Sequence, residues 1–65
     1  MEQGFAIALK SRRLALGFTQ SYLADKLNVN QASVANWERG KNIPARKYHR
    51  PLAALLNCEP SDLHL

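Results

Sequence analysis

The apolar positions of this chain recur at helical spacing, and no stretch alternates in the manner of a strand. Phe5, Leu9, Arg13 and Leu16 fall on one stripe, which predicts a first helix over residues 3–16 with Gly17 as its left-handed stop. An arginine inside an apolar stripe needs a partner. Thr19 is an N-cap ahead of Gln20, and Leu23, Ala24 and Leu27 make the inner face of a second helix. Asn28 tolerates the left-handed conformation needed to leave that helix, and Asn30 can cap the next. A third helix is predicted over residues 31–39, stopped by Gly40, with Val34, Trp37 and Glu38 on its inner side. A fourth covers 47–56, with Pro51 in or near its first turn, where a missing N–H costs least, and Leu52, Leu55 and Leu56 inward. A fifth, short helix over 60–64 begins with proline at its first position. The pattern predicts an all-α domain of five short helices with brief connections.

Composition narrows this picture. The 65 residues suffice for one domain, spanning 1–65. A domain of that size buries only about 60% of the surface its unfolded chain exposes. The apolar runs FAIAL and LAALL are far too short to span a bilayer, and the start MEQGFAIALKSRR lacks the basic n-region of a signal peptide. The expected compartment is the cytoplasm. Cys58 is the single cysteine, so neither an internal disulfide nor a Cys-rich zinc site is available, and it reads as a small buried hydrophobe.

Charge changes the picture more. The net charge is +4. Five of the nine Lys and Arg lie in RGKNIPARKYHR, residues 39–50, which holds no acid. Such a block suits a polyanion, most simply nucleic acid, or else a solvated basic loop.

The outer side of the third helix carries Gln31, Ala32, Ser33, Ala35, Asn36 and Arg39. A merely solvated face is normally built from Lys and Glu. Amides place a donor beside an acceptor, so Gln31 can pair bidentately with adenine, and Asn36 is a second amide one turn on. Ala32 offers a methyl to a thymine methyl, and Ser33 a hydroxyl to a phosphate or a base edge. The same small residues would also suit packing against another protein chain. The turn joining helices two and three has helix-turn-helix length.

These residues carry a resemblance. RRLALGFTQSYLADKLNVNQASVANWERGK resembles the DNA-binding domain of the lambda-repressor-like family, which includes phage repressors, Cro proteins and small bacterial regulators. The likeness runs through residues 5–57 in element order, and its most specific part is FTQSYLADKLNVNQASVANWERGK. Position 28 is most often glycine in this motif, so Asn28 is a departure at the turn. The resemblance implies a compact five-helix fold with the helix-turn-helix at helices two and three. It implies an ion pair between Arg13 and Glu38 that orients the third helix, and base contacts from Gln31, Ala32, Ser33 and Asn36. It implies a phosphate held by Gln20, at a helix N-terminus that favours an anion in any case. Asn30, Arg39, Lys41 and Asn42 are further phosphate candidates. Arg46 resembles an arginine that follows the minor groove, although a loop one residue longer leaves Arg46 and Lys47 hard to tell apart.

The function expected is a sequence-specific regulator reading double-stranded DNA, Cro-like or a minimal repressor, from a bacterium, phage or mobile element. The partner is a two-fold operator, bound by a weak homodimer that at its weakest forms only on DNA. The dimer contact is expected from the segment after Gly40 and the C-terminus, including Leu52, Leu63 and Leu65. No cofactor, metal, membrane or small-molecule ligand is expected. His49 and His64 lack ligand spacing, and no nucleophile, base and orienting acid assemble from the serines and histidines. The alternative is an antitoxin-type or other protein-interaction module on the same fold.

Overall fold

A computed structural model describes residues 4–65. In chain order it forms α1 (Gly4–Ala15), α2 (Gln20–Leu27), α3 (Gln31–Glu38) and α4 (His49–Leu55), with 3-10 turns at Arg46–Tyr48 and Pro60–Leu63. Gln3, the expected first residue of the first helix, lies outside the described residues.

Each helix ends where its side chains make ending cheap. Gly17 takes φ +75°, and the N–H groups of Gly17 and Phe18 return to the carbonyls of Leu14 and Arg13, which closes α1. Leu16 therefore leaves the helical stripe and is exposed. Thr19 caps α2, its hydroxyl accepting from the Tyr22 N–H at 2.9 Å. Asn28 leaves α2 at φ +58°, and Gly40 follows α3 at φ +75°. Asn30 occupies the N-cap position of α3 with extended backbone, but its side chain makes no cap bond there.

Two elements differ from expectation. Among the described residues there are four α-helices, not five. The segment Pro60–Leu63 is a 3-10 turn whose bonds, Asp62 N–H to Glu59 and His64 N–H to Ser61, span three residues each. The Asp62 carboxylate accepts from the Glu59 N–H at 2.9 Å, and His64 at φ +61° reverses the chain before a second turn can form. The expected fourth helix also starts late. Pro51 has no N–H to give to the Lys47 carbonyl, so Arg46–Tyr48 closes by a tighter bond from Tyr48 N–H to Ala45, and α4 begins at His49.

The core joins all four helices and the last turn. Leu9, Leu23, Val34, Leu52, Leu56 and Leu63 are fully buried, with Phe5, Ala24, Leu27, Trp37 and Ala53 around them. Each buried leucine contributes roughly 1.5–3 kcal/mol relative to exposure. Trp37 packs beside Tyr48, ring centres 6.2 Å apart, which ties α3 to the basic segment that follows it. α3 is thus fixed from behind by Val34 and Trp37 while its other side stays open.

Candidate nucleic-acid interface

At 3.6 residues per turn, burying Val34, Trp37 and the Glu38 side chain turns Ala32, Asn36 and Arg39 outward, with Gln31 and Ser33 on the flanks. Gln31, Ala32 and Arg39 are exposed, whereas Ser33, Ala35 and Asn36 are half-buried. Arg39 donates to the Asn36 carbonyl oxygen at 2.5 Å, which leaves the Asn36 NH2 group as its outward donor.

Behind this face runs a chain of polar contacts. Arg13 donates to Glu38 through Nε at 2.5 Å and Nη2 at 3.0 Å, and through Nη1 to the Phe18 carbonyl at 2.8 Å. The structure therefore brings Arg13 of α1 and Glu38 of α3 together as a buried ion pair. Gln20 donates to Glu38 at 3.0 Å, Gln31 donates to the Gln20 carbonyl at 3.4 Å, and Ser21 donates to the Gln31 carbonyl at 3.1 Å. One series of contacts thus links α1, α2 and the exposed first residue of α3. Burial pushes the Glu38 carboxyl up, but hydrogen bonds from Arg13 and Gln20 and the nearby positive charges of Arg13 and Lys10 outweigh it, and its pKa lies below the ordinary value. The hydrogen bond to Glu38 raises Arg13 in turn, against its burial.

The other expected contacts lie at the start of α2, just before and after α3, and in the 3-10 turn Arg46–Tyr48. Asn30, Lys41, Asn42, Arg46 and Lys47 are all exposed, and Gln20 is half-buried at the N-terminus of α2. Arg46, Lys47, His49 and Arg50 line one surface hollow, and the Lys47 ammonium lies 5.2 Å from the Tyr48 ring centre. His49 Nε2–H donates to the Pro44 carbonyl at 3.0 Å. Among the described residues no group of three or more His, Cys, Asp or Glu is placed to hold a metal ion. Cys58 is half-buried, and burial pushes its thiol up.

The expected dimer contacts need correction. Leu52 and Leu63 are 0% exposed and belong to the core, so neither can reach a second chain. Leu65 is half-buried against the same core. The exposed apolar residue of the segment after Gly40 is Ile43, 63% exposed, which lines a hollow with Phe5 and His64. The contact between Ser21 and Gln31 is one that spacing alone does not reveal, because it forms only through the turn between α2 and α3.

A helix-turn-helix family model matches residues 9–63. The chain belongs to the helix-turn-helix family of DNA-binding domains. Within that family it is similar to the HTH-type transcriptional regulator DicA of Escherichia coli K12, with 38% identity over 53 residues. That match covers 82% of this chain and 39% of DicA. Among solved structures, the helix-turn-helix chain superposes on apo-HppE with a TM-score of 0.85 and 29% identity, over 94% of this chain and 34% of that one. It superposes on Fe(II) HppE in complex with substrate with a TM-score of 0.86 and 28% identity, over 97% of this chain and 37% of the other. The chain therefore spans well under half the length of these relatives. No helix of the described residues is long and apolar enough to cross a membrane.

Proposed function

We propose that this domain binds double-stranded DNA with sequence preference and serves a repressor-type transcriptional regulator of the bacterial cytoplasm. The observation that carries the reading is the open side of α3, where Gln31, Ala32 and Asn36 offer amides and a methyl beside the cation Arg39. Those groups match base edges in the major groove, and a helix is the element that fits there. Ser33 on the flank would bond a base edge or a phosphate. Arg39, Lys41, Arg46 and Lys47 would neutralise phosphates, with Arg46 or Lys47 along the minor groove, and Gln20, Asn30 and Asn42 would fix the register. The similarity to DicA, a transcriptional regulator, supports the same role.

Two copies on a two-fold operator, with half-sites one helical turn apart, would add the affinity that one small module lacks. The exposure of Ile43 supports a contact between copies through the loop after α3, with Ile43 as its apolar contribution.

Selection of bound duplexes from a random pool at two salt concentrations tests the reading. The expected result is a palindromic consensus that persists at the higher salt. Equal binding to all duplexes at moderate ionic strength overturns it.

A further inference from the structure

Gln31 opens α3 with both ends of its amide engaged by α2. An amide has a donor end and an acceptor end, and nothing local decides which way it points. Here the decision comes from elsewhere. A carboxylate only accepts, so Glu38 takes the NH2 end of Gln20, at 3.0 Å. The Gln20 carbonyl is then left facing Gln31, and only the Gln31 NH2 can answer it, at 3.4 Å. The Gln31 carbonyl is turned to Ser21, whose hydroxyl donates at 3.1 Å. Each amide inherits its sense from the group before it, and the first group is a charge locked by Arg13.

We propose that Ser21 is a positioning residue for base recognition: its hydroxyl holds the carbonyl end of the Gln31 amide, in the donor and acceptor sense that Glu38 sets through Gln20. The inference rests on the reading of Gln31 as a base contact. After its two bonds to α2, Gln31 keeps one N–H and one carbonyl lone pair for DNA. Adenine offers the complement, an acceptor at N7 and a donor at N6. Holding the side chain before binding also removes part of the ordering cost that a free glutamine would incur on contact.

The test uses the full chain, with Ser21→Ala and Ser21→Thr, and two readouts. The first is the order of the Gln31 side-chain amide in the free protein, followed by NMR. The second is the preference at the base pair that Gln31→Ala flattens. Ser21→Ala should loosen the amide and lower that preference roughly three- to tenfold, the worth of one neutral hydrogen bond. Thermal stability, affinity for an unrelated duplex and salt dependence should stay as in the parent. Ser21→Thr keeps the hydroxyl and should keep both readouts. An ordered amide and full preference in Ser21→Ala overturn the proposal alone. A parent chain that prefers no duplex overturns the DNA reading and the proposal with it.

Discussion

The Arg13 guanidinium and the Glu38 carboxylate are joined by hydrogen bonds of 2.5 and 3.0 Å across 25 positions of sequence, and both side chains are almost wholly buried. Removing one partner strands the other charge in the core. Arg13→Ala should therefore cost about 3 kcal/mol or more, read from urea denaturation at low temperature. Replacing both, Arg13→Met with Glu38→Leu, should recover most of that loss, because an apolar pair of similar volume often matches a buried ion pair. A cost for Arg13→Ala below about 1 kcal/mol would mean that the pair behaves as an exposed one.

The same pair sets an acid limit on the fold. The Glu38 carboxyl titrates below its ordinary value in the folded state. Its contribution is fully present above the unfolded carboxyl's pKa of about 4.3 and is lost as pH falls through the lower folded value. Melting temperature should hold steady from neutral pH down to about 4.3, the unfolded carboxyl's pKa, and drop as pH falls further. Glu38→Gln should melt lower at neutral pH and show a flatter acid limb. A Glu38→Gln profile parallel to the parent's throughout would place the acid sensitivity on other carboxylates.

Sequence and structure part company at particular residues. Thr19, Gly17 and Asn28 mark helix ends legibly because each has a local reason, a hydroxyl for an orphan N–H or a tolerated positive φ. Arg13 is legible as a residue that needs a partner because a charge on an apolar stripe has nowhere dry to go. Pro60 signals a helix start without saying how far the helix runs, and here His64 ends it after a single 3-10 turn. Leu52 and Leu63 illustrate a different limit. An apolar residue on a short helix or turn looks the same in sequence whether it faces its own core or a second chain, and both of these face the core. Ser21 is hidden for a third reason, since its contact with Gln31 depends on the angle of a turn that spacing does not encode.

Asn28 sits in the left-handed region at φ +58° and ψ +45°, on the turn that fixes how α3 meets α2. Asn28→Ala should destabilise by about 1 kcal/mol, the cost of adding an ordinary side chain in that region. Asn28→Gly should be neutral or nearly so, since glycine enters the region without steric cost but has more entropy to lose on folding. Equilibrium denaturation separates the two. Equal stability for Asn28→Ala and Asn28→Gly would show that the turn does not depend on backbone permissiveness.

The proposed base reader on α3 and the proposed phosphate anchors just after it should fail in different ways. Gln31→Ala should relax the preference at one base pair by about 1–3 kcal/mol and leave the salt slope unchanged. Arg39→Ala or Lys41→Ala should weaken binding to all duplexes alike and lower the salt slope by about one unit each. Affinity measured on matched and single-substituted duplexes across a salt series distinguishes these outcomes. Uniform weakening by Gln31→Ala would remove it from the reading face.

Ile43 is 63% exposed in the loop after α3 and lines a hollow with Phe5 and His64. An isoleucine exposed to that extent gains little from the fold of one chain. If two copies meet there on a two-fold operator, Ile43→Lys puts two like charges at the contact and removes its apolar area. Binding to a duplex with both half-sites should then lose cooperativity, while binding to a single half-site stays the same or tightens slightly from the added charge. Titration of both duplexes with parent and variant measures the difference directly. Unchanged cooperativity in Ile43→Lys would move the contact between copies to another surface, and equal losses on both duplexes would place Ile43 against the DNA itself.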